Sequence, residues 1–141
     1  MIRYFITAFI ISLVQVSFGQ TDYLEQGNQQ LNSGDYAAAE IIFREAIRND
    51  SSNLVYHDQL AFALMQQKKY SEAQSVLDKV LLKDSLNVGA LWYSGNNNFL
   101  VKNGDLRVAV KYFEKTLTLL NGTVDDLKNT IGKVNSFCRI I

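Results

Sequence analysis

The sequence predicts an all-α fold built from repeated helical hairpins, and three observations support this prediction. A block of small and aromatic residues returns at intervals of about 34 residues, apolar side chains recur at helical spacing, and the alternation typical of a half-buried strand is nowhere sustained. The 141 residues are 48% hydrophobic and 20% charged, which is sufficient for one domain with a sizeable core. We therefore expect a single stack of helices and no sheet.

The first twenty residues differ from the rest and have the pattern of a secretory signal peptide. A short cationic start ends at Arg3, residues 4–14 are almost entirely apolar, and small residues precede a cleavage point between Gly19 and Gln20. The apolar stretch is shorter than the roughly 20 residues that span a bilayer comfortably. We expect residues 1–19 to be removed and the protein to be periplasmic or secreted. The alternative is an uncleaved N-terminal helix that anchors the chain to a membrane.

The repeated block divides the next part of the chain into three units. Tyr70 follows Tyr36 by one repeat interval, and Leu106 follows Tyr70 by a slightly longer one. Each of the three is followed by a small and then a larger apolar residue, namely Ala39 and Phe43, Ala73 and Leu77, and Ala109 and Phe113. We assign the units to residues 20–53, 54–87 and 88–123, with an insertion of two residues in the third unit near 96–103.

Each unit has the pattern of two helices joined by a short turn. Gly34 and Asp35 supply a helix stop followed by a cap for the next helix, and Asn53, Asn87 and Asp105 can cap helices in the same way. The predicted helices cover residues 23–32, 37–48, 55–67, 71–83, 88–102 and 106–120.

Small residues mark where the two helices of a hairpin cross. Two helices approach closely only where one of them offers a small side chain. The residues at these crossing points are Gly27 and Ala39, Ala61 and Ala73, and Ala109. We expect Phe43, Leu77 and Phe113 to fill the space between neighbouring hairpins at equivalent places.

These residues resemble the tetratricopeptide repeat, a 34-residue helical hairpin with a pattern of Trp, Leu-Gly, Tyr, Ala, Phe, Ala and Pro. The residues that fit the pattern are Tyr23, Gly27, Ala39, Phe43 and Ala46, then Leu60, Ala61, Leu64, Ala73 and Leu77, then Trp92, Phe99, Ala109 and Phe113. Gln26, Gln30 and His57 depart from it, and Ser51 and Ser85 stand where the family has proline. The resemblance covers residues 20–123 and implies a right-handed α-solenoid.

After the third unit, residues 124–141 have the pattern of one more amphipathic helix. Apolar side chains recur at helical spacing at Val124, Leu127, Ile131, Val134 and Cys138. We expect a C-terminal capping helix; the alternative is the first helix of a partial fourth repeat. Because Cys138 is the only cysteine, no intramolecular disulfide can form. We interpret this cysteine as a small hydrophobe, and a thiol that links two molecules is the alternative.

The sequence has no residue pattern that is typical of an enzyme active site, a cofactor site or a nucleic-acid-binding surface. Fourteen basic residues balance fourteen acidic ones without a basic run. His57 is the only histidine, and its neighbour Asp58 points in a different direction on a helix. The sequence contains no phosphate-binding loop, dinucleotide fingerprint or paired Cys/His spacing. We therefore predict no enzyme, no cofactor and no metal.

Binding of a protein segment is the function that the resemblance implies, on the concave face lined by the first helix of each hairpin. By position in the motif, the lining residues are Leu24, Asn28, Leu31, Asn32, Asp58, Phe62, Met65, Gln66, Tyr93, Asn97 and Val101. Some family members grip a C-terminal carboxylate here with basic side chains and asparagines. Asn28 and Asn97 match the asparagines, but Leu24, Asp58 and Gln59 stand where cations would be needed, so we do not expect such a clamp.

Two hypotheses follow for the function. In the first, the chain is an exported adaptor whose groove binds a peptide or protein segment. In the second, it is a structural or oligomerising element of the cell envelope that self-associates through its C-terminal end, as the front part of a larger repeat protein. The sequence does not name the partner, because repeat scaffolds hold many unrelated ones.

Overall fold

The computed structural model describes residues 22–101 and 104–120, in which all regular structure is helical. The helices of this part are α1 Tyr23–Ser33, α2 Tyr36–Asn49, α3 Leu54–Gln66, α4 Tyr70–Lys83, α5 Val88–Leu100 and α6 Leu106–Leu119. Each end lies within two residues of the predicted one, and the predicted helical repeat fold is confirmed. The predicted signal peptide and the predicted C-terminal helix with Cys138 lie outside the described residues.

Consecutive helices pack against one another and form three hairpins, α1–α2, α3–α4 and α5–α6. The hairpins stack because α2 packs on α3 and α4 packs on α5. In addition, α3 contacts α5, so the first helices of the second and third hairpins lie side by side. Among the helices described, none is both long and apolar enough to cross a membrane.

Side-chain caps begin most of these helices, as the sequence predicts. The Asp35 carboxylate accepts a hydrogen bond of 3.0 Å from the Ala38 amide, and Asn87 accepts one of 2.8 Å from Ala90. Asp22, Asn53 and Asp105 cap α1, α3 and α6 in the same manner. Each cap satisfies an amide that the helix leaves without an internal partner.

The turn inside a hairpin uses a left-handed residue. Gly34 has a φ of 81°, and its amide donates to the Leu31 carbonyl oxygen. Lys68, at the corresponding place in the second hairpin, has a φ of 62° although it is not a glycine. The second hairpin therefore keeps the turn geometry of the first at some backbone strain, because a side chain disfavours this conformation.

Large and small residues at the crossing points are matched in size. Phe43, Leu77 and Phe113 are all fully buried. The sequence predicts that they fill the space between hairpins, but Phe43 and Phe113 lie against a glycine of their own hairpin. A Cβ atom at Gly27 would overlap the Phe43 ring, and one at Gly95 would lie 2.6 Å from a Phe113 ring carbon. Gly95 therefore has the same role as Gly27. In the second hairpin, Leu77 lies in one cluster with Ala61. Leucine is smaller than phenylalanine and alanine is larger than glycine, so the sizes of the two residues again compensate.

The junction between the first and second hairpins is charged. Glu40 on α2 accepts hydrogen bonds from Lys69 and Arg44, each at 2.8 Å, and from the Gln67 amide at 2.9 Å. Gln67 also donates to the Tyr36 carbonyl oxygen. Burial alone would raise the pKa of Glu40, but the hydrogen bonds from Lys69, Arg44 and Gln67 outweigh it and lower the pKa from 4.5 to about 2.

The junction between the second and third hairpins repeats this arrangement without charge. Gln74 is the counterpart of Glu40 one repeat later, and its side-chain oxygen accepts a hydrogen bond of 3.0 Å from Asn97. The same Asn97 amide donates to the Tyr70 carbonyl oxygen, as Gln67 does to that of Tyr36. At both junctions, a side-chain amide of one hairpin therefore donates to the backbone at the start of the second helix of the hairpin before it.

Replacing Glu40 with glutamine should lower the free energy of unfolding at pH 7 by about 1–2 kcal/mol, after allowance for solvent screening of its partners. Because the folded-state pKa is lowered, the ionised carboxylate contributes stability above its unfolded pKa of 4.5 and loses it as the pH falls through about 2. Urea unfolding of both proteins between pH 7 and pH 2 measures the difference. If the difference in unfolding free energy between the parent and Glu40→Gln did not become smaller towards pH 2, the hydrogen bonds assigned to the ionised Glu40 would be contradicted.

Lysines also bridge the connectors between hairpins. The Lys83 ammonium donates to the Ser51 carbonyl oxygen at 3.0 Å, and Lys115 donates to that of Ser85 at 2.7 Å. These serines occupy the positions at which the repeat pattern has proline. A lysine of the next hairpin therefore helps to hold each connector in place.

Candidate functional site

Three aromatic rings lie in a row, with Tyr36 at the start of α2, Phe62 on α3 and Tyr93 on α5. The Tyr36 ring meets the Phe62 ring edge to face at a centroid distance of 6.4 Å, and the Phe62 ring lies 5.8 Å from that of Tyr93. All three side chains are only partly buried. We refer to Tyr36, Phe62 and Tyr93 as the aromatic row; it offers apolar contact area to a ligand.

A carboxylate lies next to this row. Asp58 precedes Phe62 by one helical turn on α3 and therefore occupies the same side of the helix. One of its oxygens, Oδ1, is buried and has no hydrogen-bond partner in the described part of the chain. Burial and the nearby Asp84 carboxylate raise the pKa of Asp58 from 3.8 to about 6. Burial and the charge of Asp58 likewise raise the pKa of Tyr93.

Gly89 explains how the Asp58 carboxylate is accommodated. A Cβ atom at position 89 would overlap a carboxylate oxygen of Asp58, so the missing side chain lets this oxygen lie against the first turn of α5. The start of α5 is already capped by Asn87, which accepts from the Ala90 amide.

The structure distributes the eleven predicted lining residues over three levels of exposure. The partly buried ones are Leu24, Asn28, Leu31, Asp58, Phe62, Tyr93 and Val101, and the exposed ones are Asn32 and Gln66. Met65 and Asn97 are buried, with 4% and 3% of their surface exposed. The Met65 side chain packs in the core with Phe43 and Leu64, and Asn97 is used in the junction to α4. Neither is available to a ligand.

The alignment of the third hairpin also differs by one residue from the assignment made from sequence. Gly27, Ala61 and Gly95 follow one another at one repeat interval, so the counterparts of Asp58 and Phe62 in this hairpin are Trp92 and Asn96. The residues predicted from the sequence at these places are Tyr93 and Asn97. The Trp92 ring packs 5.3 Å from that of Phe113. The row also includes Tyr36, whose only signal in the sequence is that it begins the repeated block.

Charge is divided unevenly between the first and second helices. The first helices α1, α3 and α5 contain no lysine or arginine, and their acidic residues are Glu25 and Asp58. The nine basic residues of the described chain lie on second helices or in turns, at Arg44, Arg48, Lys68, Lys69, Lys79, Lys83, Arg107, Lys111 and Lys115. The face formed by α1, α3 and α5, which carries Phe62 and Tyr93, therefore has no cation on these three helices.

Grooves also lie between the second helices. One of about 380 Å³ runs between α2 and α4, with His57, Leu60 and Val76 along it and Arg48 and Lys79 at its rim. The His57 ring nitrogen Nε2 lies 3.3 Å from the Ser51 carbonyl oxygen, and burial lowers the pKa of this histidine. A similar groove of about 330 Å³ lies between α4 and α6, with Lys111 and Lys115 in its lining. Within residues 22–101 and 104–120, no cluster of His, Cys, Asp or Glu could hold a metal ion.

The described helices form a helical solenoid of helix-turn-helix units, the class of scaffold on which many proteins hold partners. Comparison with known proteins finds one family of such units. Residues 30–92 match the family model of the tetratricopeptide repeat. No curated protein is significantly similar in sequence.

Solved structures with the same fold include domains bound to peptides. The first tetratricopeptide domain of Spaghetti (RPAP3), bound to the HSP90 peptide SRMEEVD, is 23% identical over 82% of this chain and 89% of its own, with a TM-score of 0.74. The second such domain of human RPAP3, in complex with an HSP70 peptide, is 24% identical over 80% and 92%, with a TM-score of 0.69. The Sgt2 domain from Aspergillus fumigatus is 19% identical over 82% and 76%, with a TM-score of 0.74. The chain thus has the tetratricopeptide-repeat fold.

Proposed function

We propose that this protein is an exported, non-enzymatic adaptor that holds a peptide or a segment of another protein against the face formed by α1, α3 and α5. The aromatic row is the observation that carries the proposal. Partly buried rings supply contact area at low cost in side-chain entropy, and aromatic residues are enriched where proteins bind one another. The peptide-bound domains of the same fold support binding of a segment, and the signal-like residues 1–19 support export.

The segment should differ in chemistry from the peptides of those domains. The HSP90 peptide SRMEEVD ends in acidic residues and a carboxylate. Here the first helices offer no lysine or arginine to meet such charges, and Asp58 would repel them. We therefore propose a ligand that binds chiefly through apolar side chains along the aromatic row.

Replacing both Phe62 and Tyr93 with alanine should weaken segment binding at least about tenfold, because each ring is removed from the centre of the face. The measurement is affinity capture from cell-envelope extracts with the purified chain, followed by titration of the captured segment by calorimetry. Ile41→Ala is the matched control, since Ile41 is a 66% exposed apolar side chain on α2. Equal capture by the double variant and the parent would place binding elsewhere.

Two further measurements on the same preparation, the identity of its first residue and its sedimentation, test export and the alternative structural or oligomerising role. An exported chain purified from the envelope should begin at Gln20. Sedimentation of that chain should show a monomer with a free face, whereas a concentration-dependent oligomer that survives the Phe62 and Tyr93 substitutions would favour the structural or oligomerising role.

A further inference from the structure

We propose that the bound segment carries a lysine or arginine whose cationic group is held between the Asp58 carboxylate and the rings of Phe62 and Tyr93. This inference rests on the proposed function and specifies the chemistry of the partner at one point of the face.

One oxygen of the Asp58 carboxylate lacks the hydrogen bond that a buried charge needs. Its buried oxygen Oδ1 receives no hydrogen bond from the described residues, and the charged side chain that acts on it, Asp84, is of the same sign. A partly desolvated carboxylate is costly unless it is paired. Because Asp58 is only partly buried, a cation supplied by a partner can approach the carboxylate from its open side and offset this cost, so the site favours lysine or arginine over a neutral side chain.

Two aromatic rings lie near this carboxylate. Asp58 and Phe62 stand one turn apart on the same side of α3, and Tyr93 on α5 contacts Phe62 while its pKa responds to the Asp58 charge. An ammonium or guanidinium group is attracted to an aromatic face within about 6 Å of the ring centroid. A carboxylate beside two rings therefore contacts both the charge and the apolar stem of a long basic side chain.

The described helices of this face offer no competing cation. Because α1, α3 and α5 contain neither lysine nor arginine, no side chain of these helices can neutralise Asp58 in place of a ligand. The groups that face Asp58 are Asp84 on the connector and Tyr93 and Gly89 on α5. His57, its neighbour in sequence, is turned towards the Ser51 carbonyl. By contrast, the grooves between the second helices have Lys79, Lys111 and Lys115 in their lining, which would favour an acidic segment.

The test uses fluorescent peptide libraries in a neutral host of leucine, alanine and serine, with the central residue fixed as arginine, lysine, norleucine or glutamate. The parent chain should bind the arginine and lysine libraries about tenfold more tightly than the norleucine library. Asp58→Asn should reduce this ratio to about one. Glu114→Gln, which removes the same charge from an exposed position on α6, should leave the ratio unchanged.

The pH dependence provides a second readout. A bound cation favours the ionised carboxylate, so the ratio should be constant above about pH 7 and fall as Asp58 protonates below its pKa of about 6. Asp58→Asn should abolish this pH dependence. If the dependence came from titration of His57 instead, it would remain in this variant. Circular dichroism of the variant should show the parent helix content.

The outcomes distinguish failure of this inference from failure of the proposed function. If Phe62→Ala with Tyr93→Ala weakens every library but Asp58→Asn leaves the preference for arginine intact, the face binds segments and the cation site is wrong. If the glutamate library binds most tightly and Lys79→Gln abolishes its binding, the ligand occupies the outer groove and both proposals fail. Binding of none of the libraries also overturns both.

Discussion

Replacing Phe43 with alanine should lower the free energy of unfolding by about 3–5 kcal/mol, the largest effect of any single change considered for this chain. The ring is fully buried and packs in the core cluster that the first two hairpins share, together with Leu60 and Leu64. Its removal leaves a cavity that the backbone cannot close, because the facing residue is Gly27, which has no side chain to occupy the space.

Chemical denaturation followed by circular dichroism measures this loss. Ile41→Ala is the matched control, because Ile41 is also an apolar residue of α2 but is 66% exposed, and its replacement should change stability by less than about 0.5 kcal/mol. A similar small effect at Phe43 would mean that the crossing of α1 and α2 has been assigned to the wrong residues.

Replacing Gly27 with alanine should cost about 2–3 kcal/mol, although alanine is the better helix former by about 1 kcal/mol. The new Cβ atom would overlap three carbons of the Phe43 ring, and this ring is enclosed on all sides. Interiors are packed too densely to absorb such an overlap by a small adjustment.

A second substitution should relieve the strain. The second hairpin uses an alanine and a leucine, Ala61 and Leu77, where the first has Gly27 and Phe43. The double variant Gly27→Ala with Phe43→Leu should therefore be more stable than the sum of the two single changes by at least about 1 kcal/mol in a double-mutant cycle. The control combines Gly27→Ala with Phe113→Leu, which lies in the third hairpin and is too far from Gly27 to relieve the overlap. If the effects of Gly27→Ala and Phe43→Leu were as additive as those of the control pair, the size matching would be disproved.

The helices and their stacking could be predicted because their signals are local. Asp35, Asn53 and Asn87 lie directly before helices, and the side chain of each accepts a hydrogen bond from an amide two or three residues later. The size-matched crossing residues recur after 34 or 36 residues, so a comparison of the sequence with itself finds most of them. Gly95 was not found, because the insertion that follows it obscures the repeat in the third hairpin.

The face was harder to predict because α3 is apolar on nearly all sides. Leu60, Ala61, Leu64 and Met65 are all buried, so the helical period alone cannot tell which of them faces a ligand. The same difficulty shifted the third hairpin by one residue and placed the buried Asn97 on the face. The sequence gives no signal that Asp58 Oδ1 has no hydrogen-bond partner among the described residues, because this depends on the neighbouring groups of α5 and of the connector at Asp84.

The two junctions between hairpins respond differently to acid. The first depends on the ionised Glu40 and its cationic partners, whereas the second uses the uncharged amides of Gln74 and Asn97. We therefore expect protonation of Glu40 to weaken the contact of the first hairpin with the second before the contact between the second and third hairpins is affected. Unfolding in acid should then start at the first hairpin.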